Sequence, residues 1–233
     1  MGGLTLVICT DYRLTSYNGN TITYDAIGNP LAYYNGRQFT WKDGRQLKTV
    51  SGIGLYTSYQ YDENGLRTQK LVVDTGTTVV DYFYEGSKLL AANNYYGRLS
   101  DYMSFLYDDF DNMVGFTLNG TSYYYVKNLQ GDVIGILDST GTLVVQYTYD
   151  AWGKILSLTD DDGLAITNKS HMAYLNPIRY RGYVYDEEIG MYYLQSRYYD
   201  PTTGRFINQD MAEIILEDQG FLGQYNLVCV LRE

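Results

Sequence analysis

The chain of 233 residues holds one histidine, three prolines and two cysteines, and its 17 lysines and arginines are outnumbered by 27 acidic residues. Each scarcity excludes something. A lone His171 cannot build a His-rich metal site, neither Cys9 nor Cys229 has a CxxC partner, and so no metal or zinc cluster is expected. Two cysteines near opposite ends set no disulfide framework, and the compartment cannot be read from them. The formal net charge of −10 argues against nucleic acid as a partner, because a binding face has to neutralise phosphates with Lys and Arg. The first ten residues carry an apolar run only from Leu4 to Cys9, without a basic flank. That is too short for a signal core or a membrane span, so neither export signal nor membrane insertion is expected, and the segment reads as a boundary or an upstream strand.

Catalytic signatures are scarce too. No Walker loop or GxGxxG follows a strand-like segment, and no GxSxG elbow is present. Asp160-Asp161-Asp162-Gly163 places His171 where a calcium loop needs its bidentate glutamate, and Asp109-Phe110-Asp111 places Met113 and Val114 at a ligand and at the turn glycine. Both read as solvated turns, His171 as a loop or surface residue. The expectation is no cofactor and no enzyme activity.

What the chain has instead is tyrosine, 28 against seven phenylalanines, together with 24 glycines. A ring with a hydroxyl suits positions half in a core and half in water or hydrogen-bonded, which is the composition of sheets. The tyrosines recur with aspartate before a glycine-bearing turn at an interval of roughly twenty residues, the mark of a repeat architecture. Copies stand at Tyr24-Asp25, Tyr61-Asp62, Tyr149-Asp150, Tyr185-Asp186 and Tyr199-Asp200; looser ones begin at Trp41, Tyr84, Tyr107 and Tyr125. Between turns the residues alternate: Leu143, Val145, Tyr147 and Tyr149 fall on one face, Val144, Gln146 and Thr148 on the other. In each turn the Asp carboxylate accepts from backbone N–H groups two or three residues on, and the Gly supplies a positive φ. Asn35-Gly36, Asp43-Gly44 and Asn119-Gly120 predict two-residue type I′ hairpins. The rhythm breaks between Ser157 and Asn176, where Leu164 to Tyr174 can hold a short helix, and after Asp210, where residues 211–219 read as a helical turn or two capped by Gly220.

The segment Asn176-Pro177-Ile178-Arg179-Tyr180-Arg181-Gly182-Tyr183-Val184-Tyr185-Asp186, continuing through Gly190-Met191-Tyr192-Tyr193-Leu194-Gln195-Ser196-Arg197-Tyr198-Tyr199-Asp200-Pro201 to Gly204-Arg205-Phe206-Ile207-Asn208-Gln209-Asp210, resembles the repeat-associated core of the bacterial YD-repeat, or Rhs, family. The resemblance extends from about Leu14 to Leu227. It implies an all-β fold in which antiparallel hairpins form a curved, spiralling sheet, a partial shell with one or two short helices near the C-terminus. It also implies a C-terminal toxin held or presented by that shell, as in toxin-complex subunits, type VI effectors and, for the shell alone, teneurins. The Asp-Pro-x-Gly motif at which relatives cleave themselves is absent from the sequence, and the 23 residues after Asp210 are too few for a toxin, so none is expected within them.

The organisation expected is a boundary at 1–13, the array at 14–156, a loop or helix at 157–175, the core at 176–210 and a tail at 211–233. Partners are further YD repeats or a C-terminal toxin, with self-association through open sheet edges. Arg179, Arg181, Arg197 and Arg205 are expected to pair with aspartates and main-chain carbonyls that close the array. Tyr180, Gly182, Tyr185, Asp186, Gly190, Tyr193, Tyr198, Tyr199, Asp200, Pro201, Gly204 and Phe206 complete the structural motif. Two other readings compete with this scaffold. In one, Tyr95, Tyr96, Tyr123, Tyr124 and Tyr125 bind glycans; in the other, the core is the remnant of an aspartyl autoprotease.

Overall fold

The computed structural model describes residues 7–10 and 13–208; the helix expected at 211–219 lies outside them. Fourteen strands, from Thr23–Tyr24 to Ile155–Thr159, form one antiparallel sheet in which every strand lies beside its neighbours in sequence. A three-stranded sheet (Val7–Thr10, Arg13–Tyr17, Asn20–Thr21) precedes it. The core motif makes a separate four-stranded sheet: Val184–Asp186, Met191–Tyr193, Tyr198–Asp200 and Arg205–Phe206.

The alternation is realised as read. In Leu143–Tyr149, Val145 and Tyr147 are buried while Gln146 and Thr148 are exposed. On the outward face, hydroxyls pair across neighbouring strands at 2.6 Å in Thr40–Thr49, Ser104–Thr117 and Thr148–Ser157. Such cross-strand pairs hold register where no core does.

A meander has two rims, and the Tyr-Asp turns of the large sheet share one of them. Asp62 is representative: its carbonyl accepts from the Gly65 N–H at 3.1 Å, and its Oδ1 accepts from Asn64 and Leu66 N–H at 2.9 and 2.8 Å. The acceptances are therefore two and four residues on, not two or three. The reason is Gly65, whose φ of +80° turns the chain back to place residue 66 against the carboxylate. Asp25, Asp108 and Asp150 repeat the pattern.

Asp43-Gly44 and Asn119-Gly120 have both residues at positive φ, as type I′ requires. Asn35-Gly36 does not. Only Gly36 is left-handed, and its N–H closes on the Tyr33 carbonyl at 3.0 Å, so this turn is of the longer kind. Asn18-Gly19, at φ +50° and +79°, is a further type I′ pair.

The tyrosine before each Asp reaches past its own strand. Tyr61 Oη donates to the Leu47 carbonyl at 2.9 Å, Tyr107 Oη to Leu89 at 2.7 Å and Tyr149 Oη to Val133 at 2.7 Å; Trp41 does the same through its indole N–H to Pro30 at 2.7 Å. Each acceptor lies just beyond the preceding turn of the same rim, so the ring packs inward and its hydroxyl stitches adjacent turns. This accounts for tyrosine where phenylalanine would fill the same space. Tyr149→Phe keeps the ring and strands the Val133 carbonyl, and is expected to cost about 0.5–1.5 kcal/mol in chemical unfolding.

The segment read as helix-forming yields a single turn, Met172–Leu175, whose first N–H groups are capped when His171 Nδ1 accepts from Ala173 at 3.2 Å. A 3-10 turn, Tyr180–Gly182, follows. No helix among the described residues is long and apolar enough to cross a membrane.

The sheet is curled, and two adjacent residues show how far. Tyr199 Oη donates to the Trp152 carbonyl at 2.9 Å in the last hairpin, while the Asp200 carboxylate accepts from Tyr33 and Tyr34 hydroxyls at 3.0 and 3.2 Å beside the second strand. Strands lie about 4.8 Å apart, so in a flat sheet those hairpins would stand on the order of 50 Å from one another. One dipeptide touches both because the sheet wraps around it.

Candidate functional site: the seat of the core segment

No strand of the four-stranded sheet pairs with the large sheet, so side chains do most of the fastening. The deepest contact is ionic. Asp186, ending Val184–Asp186, is fully buried and faces Arg67, which opens Arg67–Val73 directly after the Tyr61-Asp62 turn and is equally buried. The guanidinium meets both carboxylate oxygens, Nη1 at 2.5 Å and Nη2 at 3.0 Å. Lys70 Nζ bridges Asp186 Oδ1 at 3.0 Å and Glu188 Oε2 at 3.1 Å. Three tyrosine rings wall the arginine, with centroids 4.2 Å (Tyr193), 4.9 Å (Tyr82) and 5.3 Å (Tyr59) from its Cζ, and the hydroxyls of Tyr82 and Tyr198 accept from it at 3.2 Å. A tyrosine wall is apolar enough to exclude water and polar enough to satisfy a cation.

Burial pushes the Asp186 carboxyl up, but Arg67 and Lys70 overcome it and hold the group below its ordinary value. The same burial raises Glu188, whose single cation Lys70 does not compensate fully with Asp186 alongside. Lys70 is depressed by burial and raised on balance by Asp186 and Glu188. The cluster is shut off from solvent, with Arg67 Nε and Glu188 Oε1 left without a hydrogen-bond partner.

A second seat is internal to the core. Arg179, 1% exposed, donates to Glu187 at 3.1 Å and to the carbonyls of Ala173, Tyr174 and Asn176 at 3.2, 3.3 and 3.3 Å, closing the short helix onto the motif. A third holds Asp200 by Tyr33, Tyr34 and the Thr202 N–H, with burial raising its carboxyl above the ordinary range. A fourth lies on the rim: Tyr180, Tyr192 and Tyr199 hydroxyls donate to the carbonyls of Ala151, Gly153 and Trp152 at 3.3, 2.8 and 2.9 Å. Arg37 reaches the Glu188 carbonyl at 3.0 Å from the opposite side, and Gln195 the Ser87 carbonyl at 3.0 Å.

The remaining motif residues shape these seats. Arg181, at φ +55°, presents its N–H to Asp132 at 2.9 Å with its side chain outward. Gly182 and Gly190 take φ of +72° and +64°, Tyr185 lies 4.8 Å from Tyr192 and under Arg179, Gly204 abuts the Trp152 ring, and Pro201 is buried. Arg197 stacks on Phe206 at 3.8 Å, and Arg205 sits opposite Asp200 in the last hairpin. Arg67, whose guanidinium meets both oxygens of Asp186, lies outside the motif. Arg67, Lys70 and Glu188 were not singled out by the sequence; their one signal is a basic residue, Lys70, at a position whose cross-strand partners Tyr59 and Val80 face the core.

The candidate glycan aromatics divide by face. Tyr95 and Tyr124 are exposed, 38% and 42%. Tyr123 stacks on Phe116 at 5.3 Å, Tyr125 donates to Asn176 Oδ1 at 2.7 Å, and Tyr96 is half-buried. Tyr123, Tyr124 and Tyr125 therefore make no common platform, since consecutive strand residues point oppositely.

These carboxylates give a pH prediction. Glu188 and Asp200 are raised, so the stability tied to their protonated forms is present below about 4 and is lost as pH rises through their folded values. Asp186 is depressed, so its contribution is present above about 4 and is lost as pH falls through its folded value. Urea midpoints are expected to increase as pH falls through the folded values of Glu188 and Asp200 and then to drop once Asp186 protonates. Asp200→Asn, which removes one raised carboxyl, should flatten the first limb; an unchanged profile would remove Asp200 as its source.

Comparison with known proteins matches residues 9–219 to the teneurin YD-shell family. The tRNA3(Ser)-specific nuclease WapA of Bacillus spizizenii is 38% identical over 205 residues, 85% of this chain and 8% of the nuclease. The tRNA nuclease WapA of Bacillus subtilis is 37% identical over 202 residues, again 85% and 8%. The crystal structure of TcdB2-TccC3-Cdc42 superposes with a TM-score of 0.66 over 90% of this chain and 10% of that one, at 20% identity, which shows the shared fold. The chain thus spans less than a tenth of the length of these two nucleases.

Proposed function

The chain belongs to the teneurin YD-shell family, and on that premise we propose that it is a non-catalytic segment of an Rhs-type toxin shell whose core segment serves as the hub the sheet wraps around. The observation that carries this reading is the pair Tyr199 and Asp200, which ties the last hairpin and the second strand to one dipeptide. A wall with a fixed hub holds its curvature, which is what a container for a toxic polypeptide requires. The turn aspartates are occupied as hydrogen-bond acceptors and Asp186 by two cations, which favours scaffold over acid–base chemistry.

A chimera tests it. Residues 9–219 would replace the matching stretch of the Bacillus subtilis nuclease. The chimera is expected to keep its C-terminal toxin region resistant to added protease, and Arg67→Ala in the insert to expose it. Digestion of that region in the unmutated chimera as fast as in the free toxin fragment would overturn the reading.

A further inference from the structure

We propose that the hub, the described part of the core segment together with the short helix before it (residues 172–208), can seat in the array of a second copy of this chain, giving a reciprocal dimer with swapped hubs. Three observations carry it, none of them the toxin reading. The hub's sheet shares no strand pairing with the large sheet, and its polar fastenings are nearly all side-chain contacts, with Val133 N–H to the Arg179 carbonyl at 3.2 Å as a main-chain link. Every one of these contacts is equally available to a hub from another copy.

The tether permits the exchange. Residues 160–171 are mostly exposed, with Asp161 to Ala165 and Thr167 to Ser170 open to solvent. They are held to the array edge by the Thr159–Ala165 bridge and by the Ile166 N–H on the Leu158 carbonyl at 2.9 Å. Released from that edge, the tether reaches about 40 Å at roughly 3.3–3.6 Å per residue.

The empty seat demands an occupant. Without a hub, Arg67 and Lys70 stand in an open groove lined by Tyr59 and Tyr82 with no carboxylate between them, and any hub that seats there restores both ion pairs. Asp186 and Glu188 of another copy carry the matching charges. The partner's surface is thus already built, and exchange of an identical element is a low-cost route to a dimer. The net charge of −10 on each copy opposes the approach, so salt should favour it.

The test uses the full chain with Cys9→Ser and Cys229→Ser, and with cysteines introduced by Ser87→Cys and Gln195→Cys, two exposed positions that meet only when a hub is seated. The protein is partly unfolded in mild urea, refolded at rising concentration with and without added salt, separated by size, and joined with a short bis-maleimide. The dimer fraction is expected to rise roughly in proportion to concentration. Covalent dimers are expected from that fraction and internally linked monomers from the rest. No dimer at any concentration, or a dimer in which every link is internal, would overturn the proposal. The same refolding of the chain without substitutions, followed by light scattering, shows whether the cysteines created the effect, in which case the proposal also fails.

Discussion

Asp186→Ala is expected to lower the free energy of unfolding by about 3–5 kcal/mol, the cost of leaving a buried cation without its partner. Arg67 and Lys70 would remain at 0% and 9% side-chain exposure, walled by tyrosine rings, with only Glu188 to answer them. The comparison that identifies the cause is Arg67→Met with Lys70→Met, Asp186→Leu and Glu188→Leu. Replacing a whole buried cluster by apolar groups of similar volume is commonly neutral or stabilising by about 1–4 kcal/mol, because no ion is then desolvated. Urea unfolding of both proteins checks this. If Asp186→Ala costs less than about 1 kcal/mol, the cluster is solvated in the folded protein and does not fasten the hub.

Gly153→Ala is expected to cost about 3 kcal/mol, in two parts. Gly153 sits at φ +86°, where a Cβ adds about 1–2 kcal/mol of backbone strain. That Cβ would also stand 2.4 Å from Cδ1 of Tyr180, which forces the ring off its seat on the rim at a further cost of about 1–3 kcal/mol. Gly36→Ala is the control. Its φ is +80° and nothing lies within 4 Å of the added carbon, so it carries the strain alone. The difference between the two urea midpoints reports the packing of the hub against the last hairpin, and equal effects would mean that Tyr180 is not held there. Tyr180→Leu should recover part of the loss in Gly153→Ala and none in Gly36→Ala.

Much of this fold is legible in the sequence because its signals are local. Period-two alternation, Asp-x-x-Gly and Asp43-Gly44 each depend on a few neighbouring residues whose backbone preferences are strong. The motif from Asn176 to Asp210 marks the segment that becomes the hub for the same reason. The charge cluster is different. Arg67 and Asp186 lie 119 positions apart, and nothing near either residue states that they meet; that follows from the curl of the whole sheet. Asn35-Gly36 failed as a two-residue turn because the pairing of Ala32 with Gln38 leaves a longer loop between them, a fact of register and not of the dipeptide. The role of the tyrosine hydroxyls was partly visible in their number. Their acceptors, a turn away on the same rim, were not.

The pair Tyr199 and Asp200 has a consequence for how this gene segment can change. Solenoids ordinarily gain and lose units freely, since each unit answers only to its neighbours. Here the hairpins from Arg37 to Asp150 are counted, because both ends must arrive at the same two residues. Adding or deleting one would move the circumference by about two strand spacings, roughly 10 Å, far beyond what a hydrogen bond spans. The contacts of Tyr199 and Asp200 fix the number of strands between them. Length variation among descendants of this sequence should therefore be rare between Arg37 and Asp150, with the wrapped portion inherited at a fixed strand count.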